Sequence, residues 1–271
     1  MDVRTDGKWP MNFVLVTAAS LAILVVVHAI TFLIGRSIGR YNVVDVAWGI
    51  GFIAVAAVAA VLGSGDAFRR ILLLSLVAVW GLRLACHMVI KSVGKGEDPR
   101  YRDLLHGDFS ARNVLRKVFV IQAGATWFVS LPLQVSAVLG PTPPGLRPVL
   151  IVGFAVWCGG LLFEAIGDHQ LRQFKADPAN KGVVMDRGLW AWTRHPNYFG
   201  DTTVWWGLWL VGIAGWVSVA TVLSPAVMTY FLVYATGARR TEKYMADRPG
   251  FDEYRSRTSF FVPQRPKSRL P

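Results

Sequence analysis

Apolar positions fall in long runs along this chain, not in the alternating or one-sided stripes of a water-facing domain. Nearly uncharged runs cover roughly 12–35, 43–63, 70–91, 117–139, 149–168, 198–213 and 216–236. A helix needs about 20 such residues to cross the hydrocarbon core. Backbone inside lipid must also satisfy its own hydrogen bonds, which a lone strand cannot do. The pattern predicts an all-α, polytopic membrane protein with seven spans. Only Gly212 to Gly215 separates the last two, so that turn is tight, and six or eight spans are the alternatives. One transmembrane domain, 12–236, lies between a short polar N-terminus, 1–11, and a basic tail, 237–271.

Composition agrees, since 53% of the 271 residues are hydrophobic and 17% charged. Charge then sets sidedness. With the N-terminus outside, the cytoplasmic connections hold two, seven, five and nine Lys and Arg, and the external ones two, two, one and none. That asymmetry places the basic loops and the C-terminus in the cytoplasm, in a multi-pass protein of the cell (inner) membrane. The net charge of +12 flanks spans instead of covering a soluble domain, which points to lipid headgroups or an anionic cofactor and excludes nucleic acid. Cys86 and Cys158 lie in predicted spans without metal-ligand spacing, and the five histidines are scattered, so no disulfide framework, zinc site or haem site is expected. The first apolar run is too long for a signal peptide and reads as an uncleaved anchor.

Ionisable side chains within or at the edges of spans mark candidate chemistry, because burying them in lipid is costly. Asp45, Arg83, His87, Glu164, Asp168 and Asp201 are such residues. Glu164, Asp168, Arg172 and Lys175 recur at helical spacing and share one stripe, acids deep and bases shallow. An ion-pair ladder that ends the helix at the headgroups explains this stripe. So does a graded site whose carboxylates accept hydrogen bonds below while Arg172 and Lys175 meet phosphates above. The segment DRGLWAWTRHPNYFGD, 186–201, concentrates Arg194, His195, Asn197, Tyr198 and Asp201 around Pro196. Proline suits the first turn of a helix, so this segment is predicted to sit at a helix N-terminus with unpaired N–H groups, where anions bind. Arg239, Arg240, Tyr244 and Tyr254 follow in the tail, whose RSRTSFFVP ending is too apolar to float free and is expected to fold back over the cytoplasmic mouth.

The stretches 186–201 and EAIGDHQLRQFK, 164–175, resemble the C-terminal half of the steroid 5α-reductase family. YNVVDVAWGIGF at 41–52, WGLRLACHM at 80–88, GKGEDPRYRDL at 94–104 and RPGFDEYRSRTSFFVP at 248–263 are similar to its bacterial branch, formerly a domain of unknown function. Sterol-ring reductases and isoprenylcysteine carboxyl methyltransferases share a shorter RHPxYxG-type signature. The resemblance implies a seven-helix reductase that binds NADPH in a cytoplasmic cavity and delivers hydride to the C=C of an α,β-unsaturated ketone or related lipid. It aligns Glu164, Asp168, Lys175, Asn197 and Asp201 with cofactor positions; Arg172, Arg194, His195, Tyr198, Arg239, Arg240, Tyr244 and Tyr254, from the stripe, the 186–201 segment and the tail, are expected to bind the cofactor with them. Glu164 stands where the family has asparagine, and Lys175 where it has arginine. On the substrate side, Asp45 takes the place of the family's glutamate. The third helix lacks the family's tyrosine, and Arg83 or His87 stands in its place. Protonated Asp45 or Arg83 is then the donor to the carbonyl, and His87 a proton relay. The alternatives are an S-adenosylmethionine-dependent membrane methyltransferase and a non-catalytic lipid or sterol binder. No metal is expected, and substrate identity and oligomeric state stay open.

Overall fold

A computed structural model describes residues 9–266; the polar start of the chain before residue 9 and the basic end from 267 lie outside the described residues. Among the described residues the structure is helical, without strands. In chain order the α-helices are α1 (Trp9–Ile38), α2 (Val44–Leu62), α3 (Ala67–Ser92), α4 (Pro99–Leu105), α5 (Ala111–Val114), α6 (Ile121–Val129), α7 (Leu131–Ser136), α8 (Arg147–Ala176), α9 (Leu189–Trp192), α10 (Pro196–Gly212), α11 (Trp216–Val219), α12 (Leu223–Tyr230), α13 (Ala238–Lys243) and α14 (Phe251–Arg257). Five helical stretches, Trp9–Ile38, Val44–Leu62, Ala67–Ser92, Pro144–Ala176 and Trp216–Lys243, are long and apolar enough to cross a membrane. The chain is therefore a helical membrane protein.

The other two expected spans are helical but differ from plain rods. Residues 111–136 run through a π-helical turn at Leu115–Val120 and break at Ser130, just before Pro132. Helix α10 has 17 residues and starts at Pro196, the proline that marks its first turn. A second π-turn, Phe231–Ala235, follows α12. Such turns insert a residue into the helical ladder and often mark functional positions; apolar periodicity alone does not reveal them.

The chain divides into two compact units, 1–147 with 212–224, and 148–211 with 225–271. In the first, α2 and α3 approach so closely that a Cβ at Gly49 would lie 2.5 Å from the Gly81 carbonyl oxygen, and one at Gly81 would lie 2.8 Å from that of Gly49. Small residues at a crossing permit this backbone contact in lipid. At the start of α3 the fully buried Arg69 donates to the Ser136 hydroxyl and carbonyl, the Leu139 and Gly140 carbonyls and the Thr142 hydroxyl, 2.7–3.0 Å away. A buried guanidinium is tolerable only when matched in this way. At the opposite end of α3, Phe32, Tyr41, Val44, Tyr101, Leu105, Val118 and Phe119 form an apolar cluster that fastens α4 beside the start of α2.

The second unit is organised on α8 and α10. Gly153, Gly160 and Gly167 recur every seven residues on α8, and Gly200 and Gly207 do so on α10. A Cβ at Gly160 would fall 2.6 Å from the Val204 nitrogen, and one at Gly200 would fall 2.5 Å from the Glu164 nitrogen. The two backbones therefore touch along a glycine seam, and Glu164, Asp168 and Asp201 are enclosed beside it.

Candidate functional site

In the first unit the chemistry gathers where the chain passes from α3 into α4. Asp98 caps α4 by accepting from the Arg100 amide at 2.9 Å, and Pro99 opens the helix. His106, in the left-handed conformation at φ +51°, ends it, and Gly107 follows at φ +78°. Helix α4 thereby presents Arg100 and Tyr101 to Asp45 in the first turn of α2. The Tyr101 hydroxyl donates to Asp45 Oδ1 at 2.5 Å, and Arg100 Nη2 donates to Asp45 Oδ2 at 3.1 Å. Arg100 also bonds Asp98 at 2.9 Å. Burial pushes the Tyr101 hydroxyl well above its ordinary value, and the Asp45 charge and hydrogen bond push it further, so it keeps its proton. Burial alone raises Asp98, but the hydrogen bond and charge of Arg100 outweigh it and hold the carboxyl below its usual range.

A cavity of about 200 Å³ adjoins this group, and Asp45, Asn42, Met88, Glu97 and Asp98 are among its walls. Glu97 accepts from the amides of Tyr41 and Asn42, and Arg40 caps α3 by donating to the Ser92 and Lys95 carbonyls at 2.6 and 2.7 Å. The walls are thus fixed by hydrogen bonds between residues about 55 apart in sequence. Arg83 and His87 lie one turn apart on α3, both half-buried, and are not among this cavity's walls. Tyr101 and Arg100 were not singled out from the sequence; their only signal there is the DPRY of the 94–104 segment.

In the second unit Glu164 and Asp168 are buried, while Arg172 and Lys175, one and two turns further along α8, are exposed. Arg172 Nη2 lies 3.2 Å from His169 Nδ1. Asn197, in the first turn of α10, has a shielded side-chain oxygen with no hydrogen-bond partner. Thr202 Oγ1 is in the same condition. The preceding pair is differently placed. Arg194 Nε donates to Glu242 Oε1 at 2.6 Å, and its Nη1 donates to the Thr258 and Arg255 carbonyls at 2.6 and 3.1 Å. His195 Nε2 is 3.1 Å from the same Glu242 oxygen. Burial lowers the pKa of His195, against the opposing pull of Glu242.

The tail does fold back. The Arg194 amide donates to Ser259 O at 2.9 Å, Thr193 Oγ1 to Phe261 O at 2.8 Å, the Gln264 amide to Trp192 O at 2.9 Å, and the Tyr254 hydroxyl to Trp190 O at 2.7 Å. Arg257 pairs with Asp186. Residues 254–264 therefore strap the 186–195 segment; Tyr254 belongs to the strap, and Arg194 and His195 to the segment it holds. Tyr198 stacks on His195 with ring centroids 5.8 Å apart. Arg239 lies over the Tyr234 ring at 4.7 Å, Arg240 is half-buried, and Tyr244 is exposed. Glu242, which joins Arg194 to His195, was missed in the sequence because 47 residues separate it from them. Among the described residues no group of three or more His, Cys, Asp or Glu side chains is arranged to hold a metal.

The family described as "Protein of unknown function (DUF1295)" matches residues 31–258. The chain belongs to that family. Among curated proteins it is similar to mouse "3-oxo-5-alpha-steroid 4-dehydrogenase 1", 27% identical over 118 residues, 43% of each chain. The human protein of that name is 26% identical over 117 residues, 43% of this chain and 42% of its own. A "Probable O-methyltransferase ustE" of Ustilaginoidea virens is 36% identical over 68 residues, 25% of this chain and 22% of its own. The chain spans less than half the length of the curated relatives it matches. No solved structure matches it.

Proposed function

We propose that this chain is a membrane-embedded NADPH-dependent reductase that saturates the C=C of an α,β-unsaturated ketone or a related lipid. Its N-terminus is then outside the cell (inner) membrane and its catalytic loops are on the cytoplasmic side. The similarity to 3-oxo-5-alpha-steroid 4-dehydrogenases supports the reaction class. The observation that carries the chemistry is Asp45, set in a cavity wall with one oxygen fixed by Tyr101 and the other by Arg100.

Asp45 is the proton carrier in this reading. Asp45 is 23% exposed at the cavity wall, and in its protonated form it offers a proton to the substrate's carbonyl oxygen. Negative charge develops on that oxygen as the C=C is reduced, and a donor in place beforehand lowers the barrier. Tyr101 and Arg100 orient the carboxylate, and Tyr101 retains its own proton. The α-carbon takes up one proton, for which His87 on α3 is the candidate relay, while the enol O–H returns its proton to Asp45. One hydride and one proton are thus added in all. Arg83 is the alternative donor to the carbonyl oxygen.

The second unit fits a nicotinamide dinucleotide at two points. Asn197 Oδ1 is a shielded acceptor without a donor, suited to a carboxamide N–H, and Arg172 and Lys175 are exposed bases suited to phosphates. Glu164, Asp168, Tyr198, Asp201, Arg239, Arg240 and Tyr244 complete the proposed binding surface, while Arg194, His195 and Tyr254 act by holding the strap. When bound, such a cofactor supplies hydride to the β-carbon.

The test is thermal stabilisation of the detergent-purified protein by NADPH, NADH and S-adenosylmethionine at matched concentrations, since a ligand of the native state alone raises its stability. NADPH is expected to give the largest shift. The ustE match favours a second reading, an S-adenosylmethionine-dependent methyltransferase. A shift with S-adenosylmethionine alone establishes that reading, and a shift with none leaves a lipid or sterol binder.

A further inference from the structure

Asp45 and its two partners are delivered by different turns of the chain. Asp45 lies in the first turn of α2, just past the 39–43 turn that follows α1. Arg100 and Tyr101 lie in α4, just past the 93–98 turn that follows α3. The Tyr101–Asp45 bond of 2.5 Å forms only while these two turns keep one register.

Glu97 joins the two turns. Its carboxylate accepts from the amides of Tyr41 and Asn42, the latter at 3.0 Å, and from the amide of its neighbour Asp98 at 3.1 Å. On one side the constraint passes to α2, because the Tyr41 and Asn42 carbonyls accept from the Val44 and Asp45 amides at 3.1 Å each. On the other side Asp98 caps the helix that carries Arg100 and Tyr101. One side chain is thus bonded to the backbone at both ends of the Asp45–Tyr101 contact. Arg40 laces the same turns in the opposite sense, from the first turn to the Ser92 and Lys95 carbonyls. Three of the roughly four acceptor sites of an ionised carboxylate are taken up by these amides, so Glu97 is suited to holding backbone and not to donating a proton. Cohesion has another source, since Phe32, Tyr41, Val44, Tyr101 and Leu105 already pack α4 beside α2.

We propose that Glu97 is a positioning residue of the reaction: it fixes where Tyr101 meets Asp45 and so the direction in which Asp45 presents its proton. The inference rests on the reading of Asp45 as donor to the carbonyl oxygen, and adds to it a residue that acts through backbone amides. Such placement matters to rate, since a misplacement of about 1 Å can cost about 10²-fold.

Two readouts on the purified full-length protein test it, and the first needs no substrate. The seven tyrosines are isotope-labelled at Cζ and read by NMR, Tyr101 being assigned by the resonance that Tyr101→Phe removes. In Glu97→Ala this resonance is expected to shift from the position of a phenol bonded to a carboxylate toward that of an unbonded one. Glu97→Gln keeps one acceptor oxygen and should shift it less. An unchanged resonance in both variants overturns the inference. Unfolding of both does so too, since Glu97 then holds the fold and not the register.

The second readout is NADPH oxidation with a steroid 4-en-3-one and with a straight-chain 3-en-2-one. Glu97→Ala is expected to lower kcat about tenfold or more with KM and NADPH stabilisation unchanged, and to have no further effect in the Asp45→Asn background. An equal loss in both backgrounds overturns the inference. If NADPH stabilises a wild type that turns over neither enone, the proposed substrate class fails, and if NADPH gives no stabilisation, the cofactor reading fails. In both cases the Tyr101 resonance still decides the role of Glu97.

Discussion

Two clusters in this protein are made of nearly the same parts and differ in what encloses them. In one, Arg100 and Tyr101 bind Asp45, and the carboxylate remains at the edge of a cavity. In the other, Arg194 and His195 bind Glu242, and the guanidinium is closed over by the carbonyls of Arg255 and Thr258. Residue types alone do not separate the two. What separates them is the remaining partner, open space in the first and tail backbone in the second. An arginine and histidine before a helix N-terminus look like an anion site, and here they clamp the tail that walls the segment.

The largest effect that sharpens this contrast is expected at Asp45. Asp45→Asn keeps the shape and an acceptor for Tyr101 but cannot carry a proton. Turnover of an enone is expected to fall by about 10²–10⁴, the usual loss for a general acid, with NADPH stabilisation unchanged. Retained turnover would return the donor role to Arg83.

Arg194→Ala comes next and breaks the other cluster. It leaves Glu242 without its strongest partner and the Thr258 carbonyl unmatched. Removing one member of a buried pair costs about 3–5 kcal/mol; with Glu242 still 18% exposed, a loss near about 3 kcal/mol is expected. It should appear as a lower Tm and faster proteolysis between 251 and 264. Arg194→Lys should recover the charge pairing but not the two carbonyl bonds. A variant that folds normally yet loses NADPH affinity would instead place Arg194 at the cofactor.

Asn197→Ala addresses the same unit from the other side. Its side-chain oxygen bonds nothing in the protein, so stability should hold while NADPH affinity drops about tenfold, the size of one well-made hydrogen bond. Equal NADPH affinity in the variant would remove Asn197 from the site.

The sequence disclosed these clusters unevenly, for physical reasons. Asp45 announces itself because a carboxylate at the edge of an apolar run is costly, and Pro196 because its missing N–H suits a helix start. The returning tail is readable in SFFVP, whose apolar residues need cover. The glycine seam was there to be seen as well, at 153, 160 and 167 against 200 and 207. Partners were not readable. Tyr101 meets Asp45 across 56 residues and Glu242 meets His195 across 47, and no local pattern encodes such distances. The π-turns escape for another reason, since one inserted residue barely alters apolar periodicity.

The smallest expected effect is a pH dependence that distinguishes the enclosed cluster from the open one. Burial depresses the pKa of His195, so the folded protein holds this ring neutral below the pH at which the unfolded chain, near about 6.5, takes up a proton. The unfolded state then binds more protons, and the contribution of His195 to stability is present above about 6.5 and is lost as pH falls toward the folded value. A fall in Tm as pH drops from about 7.5 to 5.5 is expected. His195→Gln should flatten this slope. Glu242→Gln should steepen it, because Glu242 raises the His195 pKa and its loss leaves burial unopposed. If Glu242→Gln leaves the slope unchanged, the 3.1 Å contact fixes only the position of the ring and not its charge.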